Sequence, residues 1–179
     1  DFATNEAMEN EQIDLSKYYL IDWFVGDEST SDITFSPKEQ KVISDYINSG
    51  GKIIVSGAEI GWDLVEKAKQ KQDSLFIRDV FGAKYLGDDA NTDKIFLSWK
   101  STIGYINFCA NYNVPYPDIY SPLEDGDLLF SYDNNLGAAI EKKHFNGGVA
   151  VLVGFPIEAI KDFEDRRRVL EFILDHLYK

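Results

Sequence analysis

The stretch Gly50–Leu64, GGKIIVSGAEIGWDL, constrains the fold more than any other part of the chain. Gly50 and Gly51 are expected to stop a preceding helix, because glycine takes a positive φ there without steric cost. Ile53, Ile54 and Val55 form a short apolar run of β-branched residues, the pattern of a strand buried on both faces. Gly57-Ala58-Glu59-Ile60-Gly61 follows directly and leads into a helical pattern. Two glycines around one central residue, between a strand and a helix, predict a nucleophile elbow. Such a turn thrusts the central side chain out at the carboxyl end of the strand. The central residue is usually Ser or Cys; here it is Glu59.

The flanking segments extend this unit. Tyr18–Val25, YYLIDWFV, reads as a strand interrupted only by Asp22. Ser36-Pro37-Lys38-Glu39 is a capping box with Pro at the first helical position, and Val42, Ile43, Tyr46 and Ile47 give the helix over Ser36–Ser49 one apolar face. Strand, helix and parallel strand make a βαβ unit with a right-handed crossover. After the elbow the pattern predicts a helix over Trp62–Gln72 and a second piece over Ser74–Phe81, then a polar loop over Tyr85–Asp93. Ile95–Leu97 and Ile103–Phe108 read as short strands, and Asn111–Pro122 as a long loop. Leu128–Tyr132 and Ala138–Lys143 flank a turn and predict an antiparallel hairpin. Val149–Val153 is another strand of the buried parallel type. Asp162 caps a last helix with Val169, Leu170, Ile173 and Leu177 as its buried stripe, and Thr4 caps a short helix through Met8. The alternation predicts an α/β sandwich of three layers: a parallel sheet covered by helices, with an antiparallel hairpin region.

At 179 residues and 44% hydrophobic content, one globular domain over 1–179 is expected. A net charge of −13 disfavours nucleic acid and anionic membrane as partners. No apolar run has the length of a membrane span, and no signal peptide is expected within these residues. A start at Asp1 without Met is what a piece excised from a longer chain would show. Cys109 has no second cysteine to bridge to, and a cysteine metal cluster is excluded. The expectation is no metal and no cofactor.

Three strands of the parallel type exit into polar or Gly-rich loops: Gly26-Asp27-Glu28, Gly57-Ala58-Glu59 and Gly154-Phe155-Pro156-Ile157-Glu158. Ligands of open parallel sheets bind outside the carboxyl ends of the strands. Glu28, Glu59 and Glu158 are therefore the candidate catalytic residues. Asp27, Ser29, Trp62 and Asp63 are the candidate binding residues around them. Paired carboxylates catalyse glycoside hydrolysis at defined separations, and crowding raises the pKa of one of them. The structural alternative is a Glu59 carboxylate that accepts backbone N–H bonds at the helix start. Three acids this close repel unless a cation, an Arg or a proton intervenes. Trp62 either stacks on a sugar or packs into the core. Asp22 is a hydrogen-bonded buried acid or an edge residue, and Trp23 is expected in the core. Tyr112, Tyr116 and Tyr120 sit in the long Pro-containing loop, where binding and packing are both open. Gly87–Asp93 has oxygens but not the spacing of a calcium loop.

WFVGDEST, GGKIIVSGAEIGWDL and GFPIEAI together resemble the class I glutamine amidotransferase-like fold, from about Tyr18 to the end of the chain. They are more specifically similar to a group of secreted Bacteroidetes proteins that carry the name xanthan lyase. The resemblance implies a flavodoxin-like sheet and an extracellular or periplasmic location. It also implies neighbouring domains in the same chain, and a first strand and helix that precede Asp1. The amidotransferase family has G-x-C-x-G at the elbow and His-Pro-Glu after a late strand; this chain has Glu59 and Phe155-Pro156-Ile157-Glu158 there. A carboxylate is a poor nucleophile toward an amide, and no His stands by to activate a thiol. Glutamine hydrolysis is thus not expected. Two readings stay open: a binding or scaffold module of a carbohydrate- or cell-wall-related protein, and a hydrolase or lyase that uses the acidic edge.

Overall fold

The computed structural model describes residues 1–28, 31–67, 71–100, 102–109 and 111–178. The chain starts with a short helix α1 (Asn5–Glu9), capped by Thr4, and a single helical turn at Leu15–Lys17. Then come β1 (Ile21–Asp27), α2 (Pro37–Asn48) and β2 (Lys52–Ala58). A wide π-helical turn, Trp62–Lys67, precedes α3 (Lys71–Phe81). Six strands follow: β3 (Ala83–Gly87), β4 (Lys94–Trp99), β5 (Thr102–Asn107), β6 (Ile119–Pro122), β7 (Asp127–Tyr132) and β8 (Gly137–Lys143). The last parallel strand, β9 (Val149–Val153), leads through a turn at Ile157–Ala159 into α4 (Phe163–Leu177).

Seven strands form one sheet in the order β1-β2-β9-β8-β7-β4-β5. β1, β2 and β9 are parallel neighbours, as the alternation of buried runs and amphipathic helices predicts. From β9 onward every pairing is antiparallel, including the hairpin β7–β8. The sheet is thus parallel on one side and antiparallel on the other.

Strand periodicity divides the core. Ile53, Val55, Ala150 and Leu152 face Ile43, Tyr46 and Ile47 of α2 and Phe76, Ile77 and Val80 of α3. Ile54, Val151 and Val153 face Val169, Phe172, Ile173 and Leu177 of α4. Successive residues of one strand serve opposite faces, so β2 and β9 must be apolar throughout. The capping box at α2 is complete. The Glu39 amide donates to Ser36 Oγ at 3.3 Å, and the Ser36 amide donates to Glu39 Oε2 at 2.7 Å.

The structure corrects several sequence expectations. The first strand starts at Ile21 rather than Tyr18 and runs on to Asp27. Tyr18 instead follows the helical turn, and its carbonyl accepts the Tyr46 hydroxyl. The expected loop over Tyr85–Asp93 begins as β3, which pairs antiparallel with β6 inside the other expected loop, Asn111–Pro122. This separate two-stranded sheet is made by a contact distant in sequence, with Pro117 and Pro122 masking the local signal. The helix after the elbow is a π turn over Trp62–Lys67, and the rest of the expected Trp62–Gln72 span up to residue 70 lies outside the described residues. In α4, Phe172 joins the buried stripe while Leu170 is only partly covered.

Candidate functional site

The carboxyl edge of β1, β2 and β9 is where the site must be built. Asp27 lies level with Ala58, and Ser56 level with Val153, so the three exits leave the sheet at the same end. The elbow is real in its backbone. Glu59 has φ of +67°, a conformation that costs a side-chain-bearing residue on the order of 1–3 kcal/mol. The two glycines have separate steric reasons. A Cβ at Gly57 would lie 2.0 Å from Val25 Cγ2 on β1, and a Cβ at Gly61 would lie 2.1 Å from the Tyr85 ring. Neither separation is possible, so only glycine lets the turn sit this close to its neighbours.

The elbow does not present its central residue to solvent. Glu59 is only 5% exposed. Beneath the turn lies Asp118, fully buried, an acid within the stretch Asn111–Pro122 that the sequence pattern predicts as a loop. Its Oδ2 accepts the Gly61 amide at 2.8 Å and the Tyr120 hydroxyl at 2.9 Å. Its own amide donates to Gly154 O at 2.8 Å, and its carbonyl accepts the Tyr132 hydroxyl at 2.8 Å. One residue therefore ties the elbow after β2 to the exit of β9, to β6 and to β7. Burial pushes the Asp118 carboxyl up to about 8; the Gly61 and Tyr120 hydrogen bonds oppose this, and the charges of Asp88 and Glu59 add to it. Tyr85 is raised as well, first by burial and then by Asp118, Asp88, Glu66 and Glu59. The only sequence signal for Asp118 was a lone acid directly before the Ile119-Tyr120 pair. Its partners are distant in sequence, so the motif around it is not recognisable locally.

The remaining candidates occupy two further neighbourhoods on the same edge. Glu28 accepts the Thr34 hydroxyl at 2.5 Å, and Asp63 accepts the Thr34 amide at 3.0 Å while pairing with Lys67 at 2.7 Å. Burial, helped by Asp32, Asp63 and Glu39, raises the Glu28 carboxyl. Trp62 is half-buried against the core, with the Lys67 ammonium 5.8 Å from its ring centroid. Glu158 turns toward β1: its Oε1 is 3.6 Å from the position a Gly26 Cβ would take, and the Tyr112 hydroxyl donates to it at 3.3 Å. Asp27 ends β1, and Ser29 lies outside the described residues. Glu28, Glu59 and Glu158 thus share one end of the sheet. Glu28 is grouped with Asp63, Glu59 with Asp118 and Tyr85, and Glu158 with Asp22 and Tyr112.

Cys109 lies after β5, the last strand on the antiparallel side, and not on the elbow after β2. Tyr120 is core, Tyr116 is exposed, and Tyr112 is half-buried. Trp23 is buried, and Asp22 is an exposed residue of the edge strand. Among the described residues no three His, Cys, Asp or Glu side chains are arranged to hold a metal ion, and no helix is long and apolar enough to cross a membrane. The chemistry available at the elbow is that of a buried acid pair, without a solvent-facing nucleophile.

No protein-family model and no curated protein sequence matches the chain. Solved structures do. The chain is similar to Gan42B, a GH42 β-galactosidase from G. stearothermophilus, with a TM-score of 0.60 and 14% identity over 92% of its length. It spans only 22% of that enzyme. It is also similar to the mmIFT52 N-terminal domain, with a TM-score of 0.59, 14% identity, and 92% of this chain and 79% of that one covered. A third likeness is to the cytoplasmic protein STM3548 from Salmonella typhimurium, with a TM-score of 0.57, 11% identity, and 96% and 76% covered. At these identities the likeness is one of fold: a mixed α/β domain that recurs within much longer chains and in smaller proteins.

Proposed function

We propose that this chain is a binding or scaffold module of amidotransferase-like, flavodoxin-like fold that has lost amidotransferase chemistry. It serves an extracellular or periplasmic protein that handles carbohydrate or cell-wall material. One observation carries the reading: the elbow keeps its strained backbone, yet its central residue is a carboxylate 5% exposed beside a fully buried Asp118. A nucleophile must reach its substrate, and a general acid must reach a leaving group within about 3 Å. A buried Glu59 does neither; it serves the packing of the turn. The carbohydrate part draws support from the GH42 β-galactosidase likeness and from the resemblance in sequence.

The test is calorimetric titration against a panel of polysaccharide and peptidoglycan fragments, with product detection on the same mixtures. Binding without new reducing ends or unsaturated sugar products is the expected result. Turnover that disappears in Glu59→Gln would replace the module by the hydrolase or lyase reading. Absence of binding across the panel would remove carbohydrate from the proposal.

A further inference from the structure

The free edge of the sheet at β1 has the properties of a second binding site. Among the described residues β2 is the only strand beside β1, so the outer backbone groups of β1 have no ladder partner. A bulge between Phe24 and Gly26 shifts the register before pairing with β2 resumes at Gly26 and Asp27, and Gly26 turns with φ of +73°. The unbulged part, Ile21–Phe24, lines a cavity of about 580 Å³ whose far wall is the N-terminal segment. That volume lies within the range of about 300–1,000 Å³ typical of ligand sites. Its apolar walls include Met8, Leu15, Trp23 and Phe24, the last 56% exposed.

The polar side of the cavity is acidic: Asp1, Glu6 and Asp22 line it. Asp22 is exposed on β1, and among the described residues no Lys or Arg pairs with it. Partial desolvation by its neighbours and the nearby Glu158 both raise its carboxyl. Two acids held near one another repel, and a cation placed against them relieves that repulsion. A second copy of this chain would bring a second Asp22 edge to the first, like charge against like charge. The chain's net charge of −13 adds to that repulsion.

We infer that the β1 edge accepts an extended peptide strand whose alternating side chains set a Lys or Arg against Asp22 and apolar residues against Trp23. Backbone groups of Ile21–Phe24 would supply the ladder, and the alternation of the incoming strand would match the pleat of β1. The inference goes beyond the carbohydrate reading and uses none of the elbow residues.

The test uses a capped synthetic peptide of about nine residues alternating valine and lysine, with a valine–glutamate peptide as control. Amide hydrogen exchange should slow at Ile21–Phe24 when the lysine peptide binds, and the glutamate peptide should not bind. Asp22→Asn should weaken the lysine peptide about tenfold, the loss of roughly one charge-assisted contact. Equal affinity for Asp22→Asn and the unaltered chain would overturn the inference, because attraction to the net charge alone would then explain binding. Protection elsewhere in the sheet, no binding at all, or a homodimer strengthened by Asp22→Asn would overturn it too.

Discussion

At the scale of single residues, Glu59 and Asp118 carry the argument, and each makes a measurable prediction. Glu59 holds φ of +67°, so its side chain is kept against a backbone preference. Replacing it by Ala removes the carboxylate but leaves the strain; replacing it by Gly removes both. Glu59→Gly should therefore be more stable than Glu59→Ala by about 1 kcal/mol in urea unfolding. Equal stability, or an Ala variant the more stable, would mean that the elbow is not strained. Burial lifts the Asp118 carboxyl from the ordinary 3.8 to about 8 in the fold. Its contribution is fully present below about 3.8 and is lost as pH rises through about 8, because the folded chain then binds a proton that the unfolded chain has released. Asn cannot lose that proton and can still accept from Gly61 and Tyr120. The stability of Asp118→Asn relative to the unaltered chain should rise between pH 4 and 8 and level off above. A difference independent of pH would show that Asp118 is ionised in the fold.

At the scale of elements, the caps and glycines decide where strands stop and helices begin. The capping box satisfies two backbone donors of α2 in a region packed against α1. Ser36→Ala should cost about 1 kcal/mol of stability, read as a shift of the urea midpoint with unchanged slope. Gly57→Ala should cost more, about 2–3 kcal/mol, because its Cβ meets Val25 and the Gly26 carbonyl and the β1–β2 spacing must open. A neutral Gly57→Ala would mean that Val25 and the Gly26 carbonyl can move aside without cost. The π turn after the elbow belongs to the same economy of contacts: Gly61 gives its amide to Asp118, and the Asp63 amide reaches back to Glu59 O at 2.9 Å.

At the scale of the whole molecule, seven strands and two helical layers place three acidic exits at one end, and the elbow's central position is filled by a buried carboxylate. Glutamine incubated with the chain should release no ammonia above background, since the one thiol, Cys109, follows β5 and no His stands near Glu59 in the sequence motif. Ammonia release abolished by Glu59→Ala would overturn that expectation.

The sequence by itself determined the parallel unit. Gly50-Gly51, the capping box at Ser36 and the apolar run at Ile53–Val55 are local signals, and β1, α2 and β2 follow from them with boundaries shifted by a few residues. It also placed the hairpin β7–β8, the strand β9 and the cap of α4 at Asp162. The edge shared by Glu28, Glu59 and Glu158 was legible because each follows a strand of the parallel type. Only the tertiary structure decided what those acids meet. Whether Glu59 faces solvent or protein depends on Tyr85 and Asp118, which lie 26 and 59 positions further along the chain and arrive on β3 and just before β6. Those strands pair across a long separation, between segments whose prolines and glycines read locally as loop. Burial is a property of what packs on a residue, not of its neighbours in sequence, so the elbow's shape was visible in the chain and its closure was not.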